Sequence, residues 1–385
     1  MTKVVYISYN SIHEPLVDSQ VLTYLKGLTK KGFEFTLITA EVKSRIRGVD
    51  KIKGKLEKLG INWIPVYKGK LGVLGQLFAM RKLIIRIKNI SFVHARSYFS
   101  GVVAYLVWRS VKIPYIYDIR GFWVEEKVYK RRLKPKSIVY KVLKMIDQKV
   151  YQNASGIVSL TNKAKEIIRQ FRFWKNKAPL IEVIPTCVNN EEFKPLKKLR
   201  INMVYLGSVG QGYMGGIIFK VFSLVQHHFK EVEITLISRS QSELINYLAK
   251  TNNVDMEKVK HLSLTHEQVA QALGGCSIGL SFIKPHFSKK ASCATKIGEY
   301  MSCGMPVLCN TGIGDMDKVL SSNEAVFCDD FSSQSLLGAI EQVISLSQDN
   351  HSFRSCQSLA RDYFSLSNGI KTYNKLYNEV LRLNK

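Results

Sequence analysis

The chain has 385 residues, more than one hydrophobic core usually spans, so two domains are expected, and 46% apolar residues suffice for two cores. No run of about 18 apolar residues occurs, which excludes a membrane-spanning helix; the longest candidate, 99–108, is cut by Arg109. The net charge is +27, and residues 1–190 hold 36 Lys and Arg against 12 Asp and Glu, whereas residues 191–385 hold 21 against 18.

A positive field confined to one half attracts an anionic membrane surface or nucleic acid, although a lysine-rich composition alone also produces it. The N-terminus enters a strand pattern without an apolar leader, so a cytoplasmic protein is expected, peripheral on the inner face of the plasma membrane. All seven cysteines stand at or after Cys187. An odd count without a secretion signal argues against disulfides, and Cys293, Cys303 and Cys309 lack the spacing of a zinc set. Buried thiols are the expectation there.

Taken in order, residues 4–7 form a short buried strand, 19–31 a helix capped by Asp18 or Ser19, and 33–40 a second strand. This is a βαβ opening. Its loop, SYNSIHEPLVDSQ, lacks the glycine fingerprint of a dinucleotide site. Residues 61–66 are a strand and 77–90 an amphipathic helix with Leu77, Met80, Leu83, Ile84 and Ile87 on one face. Strands follow at 92–94 and 115–117, separated by a helix at 101–110. Asp118 and Arg120 then alternate in the exit loop DIRGFW, beside Phe122 and Trp123, read as an exposed binding wall. Their alternatives are a charged pair meeting substrate or a salt bridge bracing the loop.

Residues 127–151 are the densest basic segment. Ile138, Val139, Val142, Leu143, Ile146 and Val150 make an apolar stripe with Lys141, Lys144 and Lys149 around it. The stripe reads as ordinary core packing. The preceding KRRLKPK suits lipid headgroups or a solvated loop. A strand at 154–160, a helix at 163–172 capped by Thr161-Asn162 and a strand at 181–185 finish this half. A linker is expected at 186–198.

The second half restarts with a strand at 201–206 and the glycine-rich exit loop 207–213, followed by a helix to about residue 229. Glycine between strand and helix lets backbone approach a ligand closely. Strands at 232–238, 277–283 and 325–328 and helices at 246–251, 265–273, 332–347, 353–362 and 370–383 complete the pattern.

The stretch 288–317, SKKASCATKIGEYMSCGMPVLCNTGIGDMD, organises this half. Lys289, Lys290 and Lys296 bring cations to a helix start, where backbone N–H groups favour an anion. Glu299, three residues after Lys296, shares its helical face and suits a pair of ribose hydroxyls. Gly304 and Pro306 end the helix. A strand at 307–309 then leads to a loop holding Gly312 and Gly314, at the sheet end where ligands bind. Cations, a carboxylate and a glycine loop match a nucleoside diphosphate.

With TKIGEYMSCGMPVLCNTGIGD, the loop at 207–212, VIPTCVNNEEF at 183–193 and YNKLYNEVL near the C-terminus, the chain resembles a GT-B glycosyltransferase of family 4 over nearly its whole length. The resemblance implies an α/β fold of two Rossmann-like, doubly wound domains facing a cleft. These are 1–190 on the acceptor side, 200–365 for the nucleotide-sugar donor, and a helix at 366–385 crossing back to the N-terminal domain. Glu299 matches the second glutamate of the family's E-x7-E motif, and the first falls at Ala291, so that sugar contact is missing. Gly207, Ser208, Gly210, Arg239, Lys290, Lys296, Gly312 and Gly314 are implied around the donor. Asp118 and Arg120 are implied in catalysis, with Arg120 where relatives often carry His. Gln20 and Trp123 are implied on the acceptor side.

The implied reaction is a retaining hexosyltransferase-type transfer from a nucleotide-diphosphate sugar to a glycan or lipid-linked acceptor, in cell-surface polysaccharide or lipopolysaccharide assembly. No cofactor is expected, and lysines rather than a metal are expected to neutralise the diphosphate. Competing readings are a nucleotide-sugar epimerase of the same fold, a catalytically weakened partner subunit and a basic nucleic-acid-binding protein. The last predicts aromatics interleaved with cations, which KRRLKPK lacks, so no nucleic-acid partner is expected.

Overall fold

The computed structural model describes residues 2–44, 46–174, 179–196, 200–210 and 212–384. Gln211 of the glycine loop, and Lys197 and Lys198 at the end of the expected linker, lie outside the described residues. The chain forms two compact units. One is Met1–Pro185 with Phe287–Ser292 and Ser367–Lys385; the other is Thr186–His286 with Cys293–Leu366. Two short stretches therefore leave the second half of the sequence to complete the first unit.

The first unit holds seven strands: β1 (Thr2–Ser8), β2 (Phe33–Glu41), β3 (Ile61–Tyr67), β4 (Phe92–Arg96), β5 (Tyr115–Asp118), β6 (Gly156–Ser159) and β7 (Leu180–Val183). All pair in parallel, in the order β3-β2-β1-β4-β5-β6-β7. Val4 of β1 faces Phe35 on one side and Phe92 on the other. A parallel strand covered on both faces must be apolar throughout, and Val4, Val5, Tyr6 and Ile7 are all buried. The order reverses between β1 and β4, so right-handed crossovers put the later helices on one face. There Ser97–Val111 packs against both Gly72–Arg86 and Ile138–Gln152.

The helix Leu366–Leu383 contributes to the same core from Ser367 onward. The Tyr377 ring lies 4.8 Å from Phe92 and 5.1 Å from Phe33. Leu376 and Val380 close over Gly156, where an added Cβ would meet them at 3.1 and 3.3 Å.

The second unit repeats the scheme with β8 (Asn202–Leu206), β9 (Glu233–Ile237), β10 (Val259–Leu262), β11 (Ile278–Ser281), β12 (Val307–Cys309) and β13 (Ala325–Phe327). All are parallel, in the order β10-β9-β8-β11-β12-β13. β8 and β11 flank the reversal point. The glycine loop follows β8, and the helix Thr295–Ser302 follows β11. Carboxyl ends of strands at such a point are where open α/β sheets bind ligands. All seven cysteines are buried.

Several local expectations change. The helix expected at 19–31 is split into Pro15–Val17, a π-helical turn Asp18–Leu22 and Thr23–Thr29. Phe122 is buried rather than exposed, because its ring stacks on Phe287 at 5.3 Å and a helix starts at Trp123. The stripe on Ile138–Gln152 is not one core face. Val150 is buried, but Ile138 is 81% exposed and Val139, Val142 and Met145 are exposed with it. Met145 lies 7 residues past Ile138 and Val142 lies 4 past it, which defines a separate outward arc.

Candidate active site

The second unit gathers its candidate residues around one buried lysine. Lys296 lies in the first turn of Thr295–Ser302 and is 7% exposed; Glu299, one turn on, is 6% exposed. The Lys296 ammonium has no hydrogen-bond partner. It rests over two aromatic faces, 4.1 Å from the Tyr205 ring centre and 4.8 Å from that of Tyr213. Such contacts stabilise a cation only partly. Burial therefore pushes the Lys296 pKa down to about 7, against the pull of Glu299. Burial likewise pushes Glu299 up to about 7, against the pull of Lys296. Both groups sit at the edge of neutrality.

The glycine loop closes on the same point. Gly207 has φ +125°, and a Cβ there would stand 3.2 Å from Lys296 Nζ, so glycine is required for backbone shape and for room. Tyr300, fully buried on the same helix, accepts from the Leu206 amide at 2.9 Å and donates to the Leu280 carbonyl at 3.4 Å, tying β8 and β11 to the helix. Ser208 is exposed; its Oγ accepts from the Gly210 amide at 3.1 Å, and its carbonyl accepts from Tyr205 Oη at 2.6 Å. Arg239 is exposed and donates to the Leu264 carbonyl.

The loop after β12 is braced from within. Gly312 (φ +84°) donates its amide to Asp317 Oδ1 at 3.1 Å, while Gly314 (φ +53°) is buried. Asp315-Met316-Asp317 is an Asp-x-Asp triplet, although the expectation of lysines in place of a metal took no such motif to stand near the donor loop. Its second carboxylate serves this turn, and among the described residues no His, Cys, Asp or Glu group is arranged to hold a metal.

Lys290 is a first-unit residue. It lies in the 3-10 turn Phe287–Ala291 of the first unit, where its carbonyl accepts from Thr161 Oγ1 at 2.6 Å and its ammonium lies 5.5 Å from the Phe287 ring centre. The cation expected to join Lys296 therefore belongs to the other unit, and Ala291 beside it is buried there.

Asp118 and Arg120 belong to a buried polar cluster in the first unit. Asp118 is completely buried. Its Oδ2 accepts from Arg120 Nη2 at 2.7 Å, Tyr373 Oη at 3.0 Å and His94 Nε2 at 3.3 Å. Burial raises the carboxyl, but Arg120 and then His94 outweigh it and hold Asp118 below the usual carboxylate range. His94 is held neutral by burial, so its Nε2–H donates to Asp118 and its Nδ1 accepts from Tyr377 Oη at 2.6 Å. His94, Arg96, Tyr373 and Tyr377 escaped the sequence reading. The available signal was a His and an Arg inside the apolar strand FVHAR, since buried polar groups are the informative ones.

The acceptor-side candidates lie in the first unit too. Gln20 is buried in the π-helical turn, a feature frequent at functional sites. Trp123 is half-buried, stacked on Tyr98 at 4.4 Å and 12°. At the carboxyl edge of β1–β3 lies a pocket of about 250 Å³, lined by Tyr9, Ser11, Glu14, Lys68, Val73 and Gln76 among others. Glu41 fixes its rim by accepting from the Ile12 amide at 2.8 Å and from Ser11 Oγ at 2.6 Å.

Two parallel, doubly wound α/β units of this kind define the GT-B glycosyltransferase architecture, and solved structures share it. The sucrose-phosphate synthase of Thermosynechococcus elongatus aligns over 100% of both chains with TM-score 0.77 and 15% identity. Anabaena HepE, solved with UDP and glucose, aligns over 98% of this chain and 100% of its own, with TM-score 0.73 and 14% identity. The trehalose 6-phosphate synthase of Burkholderia multivorans aligns over 100% and 99%, with TM-score 0.73 and 9% identity. Residues 17–192 match the family model described as Glycosyltransferase Family 4. Fold and partial family match agree: the chain has the GT-B fold of these structures, and its residues 17–192 are similar to Glycosyltransferase Family 4, the resemblance its sequence motifs carry. No curated protein matches the sequence.

Proposed function

We propose that the protein moves a sugar, with retention at the anomeric carbon, from a nucleotide-diphosphate sugar to a glycan or lipid-linked acceptor in cell-surface polysaccharide or lipopolysaccharide assembly. The observation that carries the donor half is the buried, unpartnered Lys296 ammonium between Gly207 and Glu299. An ammonium pushed toward neutrality by burial gains most from an incoming anion. Ala294, the N-cap of its helix, offers no side-chain cap, so the helix start also suits a phosphate.

In this reading the diphosphate lies at Lys296 and the helix start, and Glu299 accepts from the ribose hydroxyls. When the bond from the anomeric carbon to the diphosphate oxygen breaks, negative charge grows on the leaving oxygen, and Lys296 stabilises it. An acceptor hydroxyl oxygen forms the new bond to the anomeric carbon, and its proton passes to the departing diphosphate oxygen. Gly312 and Gly314 shape the neighbouring turn. Asp118 braces the first unit, Arg120 is held by it, and the acceptor is assigned to the first-unit face that carries Gln20 and Trp123.

The test is calorimetry over a panel of UDP-, GDP- and dTDP-sugars, with Lys296→Ala and Glu299→Ala beside wild type. One donor bound by wild type and lost in both variants supports the reading and names the sugar for transfer assays. Binding that survives in both variants removes Lys296 and Glu299 from the site. Binding to no donor favours a weakened partner subunit, and release of free sugar without acceptor favours an epimerase.

A further inference from the structure

The two units differ in charge far more than the two halves of the sequence do. The first unit holds 42 Lys and Arg against 13 Asp and Glu, a formal +29; the second holds 15 against 17, a formal −2. Exposed large apolar side chains follow the same division. Among the described residues, the second unit exposes only Leu196 and Tyr247, whereas the first exposes two organised arcs.

One arc runs along Ile138–Gln152: Ile138, Val142 and Met145 are 81%, 43% and 56% exposed, with Lys141 and Lys149 exposed on the same face. It begins where the exposed cations Arg131, Arg132, Lys134 and Lys136 end. The acids nearby already have partners, Glu126 with Lys130 and Glu125 with Lys144, so this basic loop is not neutralised by them. The second arc opens the Gly72–Arg86 helix: Leu71, Leu74 and Phe78 are 80%, 67% and 59% exposed, next to Lys68, Lys70 and Lys82. In a parallel α/β sheet each crossover helix starts at the carboxyl end of the strand before it. Leu71 and Ile138 therefore both stand at the carboxyl rim of the first sheet, on the same face, flanking Ser97–Val111.

We propose that this rim docks on an anionic lipid bilayer, with Ile138, Val142, Leu71 and Leu74 entering the headgroup–acyl boundary and the flanking lysines and arginines pairing with lipid phosphates. Apolar side chains ringed by unneutralised cations are complementary to such a surface, where insertion and electrostatic attraction add. A partner that was only acidic leaves the apolar arcs unexplained, and a second copy of this +29 unit meets its own charge. Docking brings headgroups to the strand ends that carry the proposed acceptor loops. The surface deepens the lipid-linked part of the proposed function but stands on exposure and charge alone.

The test is sedimentation of the full chain with vesicles of neutral phosphatidylcholine and with vesicles containing one-third phosphatidylglycerol, at low and high salt, without donor or acceptor. Wild type is expected to bind the anionic vesicles and to leave them as salt rises. Ile138→Ser with Val142→Ser should lower binding at least tenfold. Lys134→Ser with Lys136→Ser should lower it about twenty-fivefold at low salt, from about fivefold per cation near the surface. Unchanged melting and unchanged nucleotide-sugar binding in both pairs separate this result from failure of the donor site. Equal binding to neutral vesicles, no loss in either pair, or self-association that the Ile138 and Val142 changes abolish while vesicles bind nothing would overturn the proposal.

Discussion

Each unit buries charge, and the two do so in opposite ways. In the first, Asp118 is surrounded by Arg120, Tyr373 and His94, and these partners keep it ionised despite complete burial. In the second, Lys296 has two aromatic faces and no hydrogen-bond acceptor, and burial drives both it and Glu299 toward neutrality. On the proposed reading, a charge whose neighbours stabilise it, as at Asp118 Oδ2, braces the fold, and a charge left without them, as at Lys296 Nζ, is held ready for a ligand that supplies what the protein does not; Asp118 Oδ1 and Arg120 Nε and Nη1 are also without partners.

The contrast predicts a double dissociation. Asp118→Ala strands the Arg120 guanidinium and should cost about 3–5 kcal/mol of stability, read as a lowered denaturant midpoint, while whatever folded protein remains keeps its donor affinity. Lys296→Met should do the reverse: an unchanged or raised melting temperature and a loss of donor affinity of about 2–4 kcal/mol. If both variants lose stability alone, or both lose binding alone, the comparison collapses. Next in size is Tyr300→Phe. It leaves the Leu206 amide without its buried acceptor and should cost about 1–3 kcal/mol, visible in denaturant melts.

Acidity sharpens the comparison further. A bound diphosphate favours the Lys296 ammonium, so above about pH 7 binding must take up a proton, and affinity falls as pH rises. Ribose hydroxyls favour the Glu299 carboxylate, so below about pH 7 binding must release a proton, and affinity falls as pH drops. Donor affinity should therefore peak near neutrality, with each limb falling up to tenfold per pH unit, about 1.4 kcal/mol. Calorimetry in buffers of different ionisation enthalpy should show the proton count changing sign across the peak. The smallest effect belongs to the surface: Ile138→Ser should shift stability by less than about 0.5 kcal/mol, because the side chain already faces out.

The sequence carried the second site better than the first for a reason of distance along the chain. Lys296 and Glu299 are three residues apart on one helix, so helical geometry alone puts them together, and the glycine loop announces a close approach. Apart from Arg120, two residues on, the partners of Asp118 lie 24 and 255 residues away, beyond any local periodicity. That Lys290 belongs to the first unit was not legible, because no break in composition marks the point where the chain leaves the second unit for the turn Phe287–Ala291 and comes back. The Ile138 stripe misled for another reason. The helix has two apolar arcs, and hydrophobic spacing gives their existence without saying which one meets the sheet.

Tyr373 and Tyr377, which fill the first sheet's far face, come off the ribosome only after the whole second unit has been made. At about 5–20 residues per second, the first 185 residues wait roughly 10–40 s for their last core side chains. During that interval His94, Phe92 and Gly156 lack their cover, and the second unit, needing nothing downstream of Leu366, can settle first. Order of synthesis and order of maturation are thereby inverted: the half translated first is the last to receive its complete core.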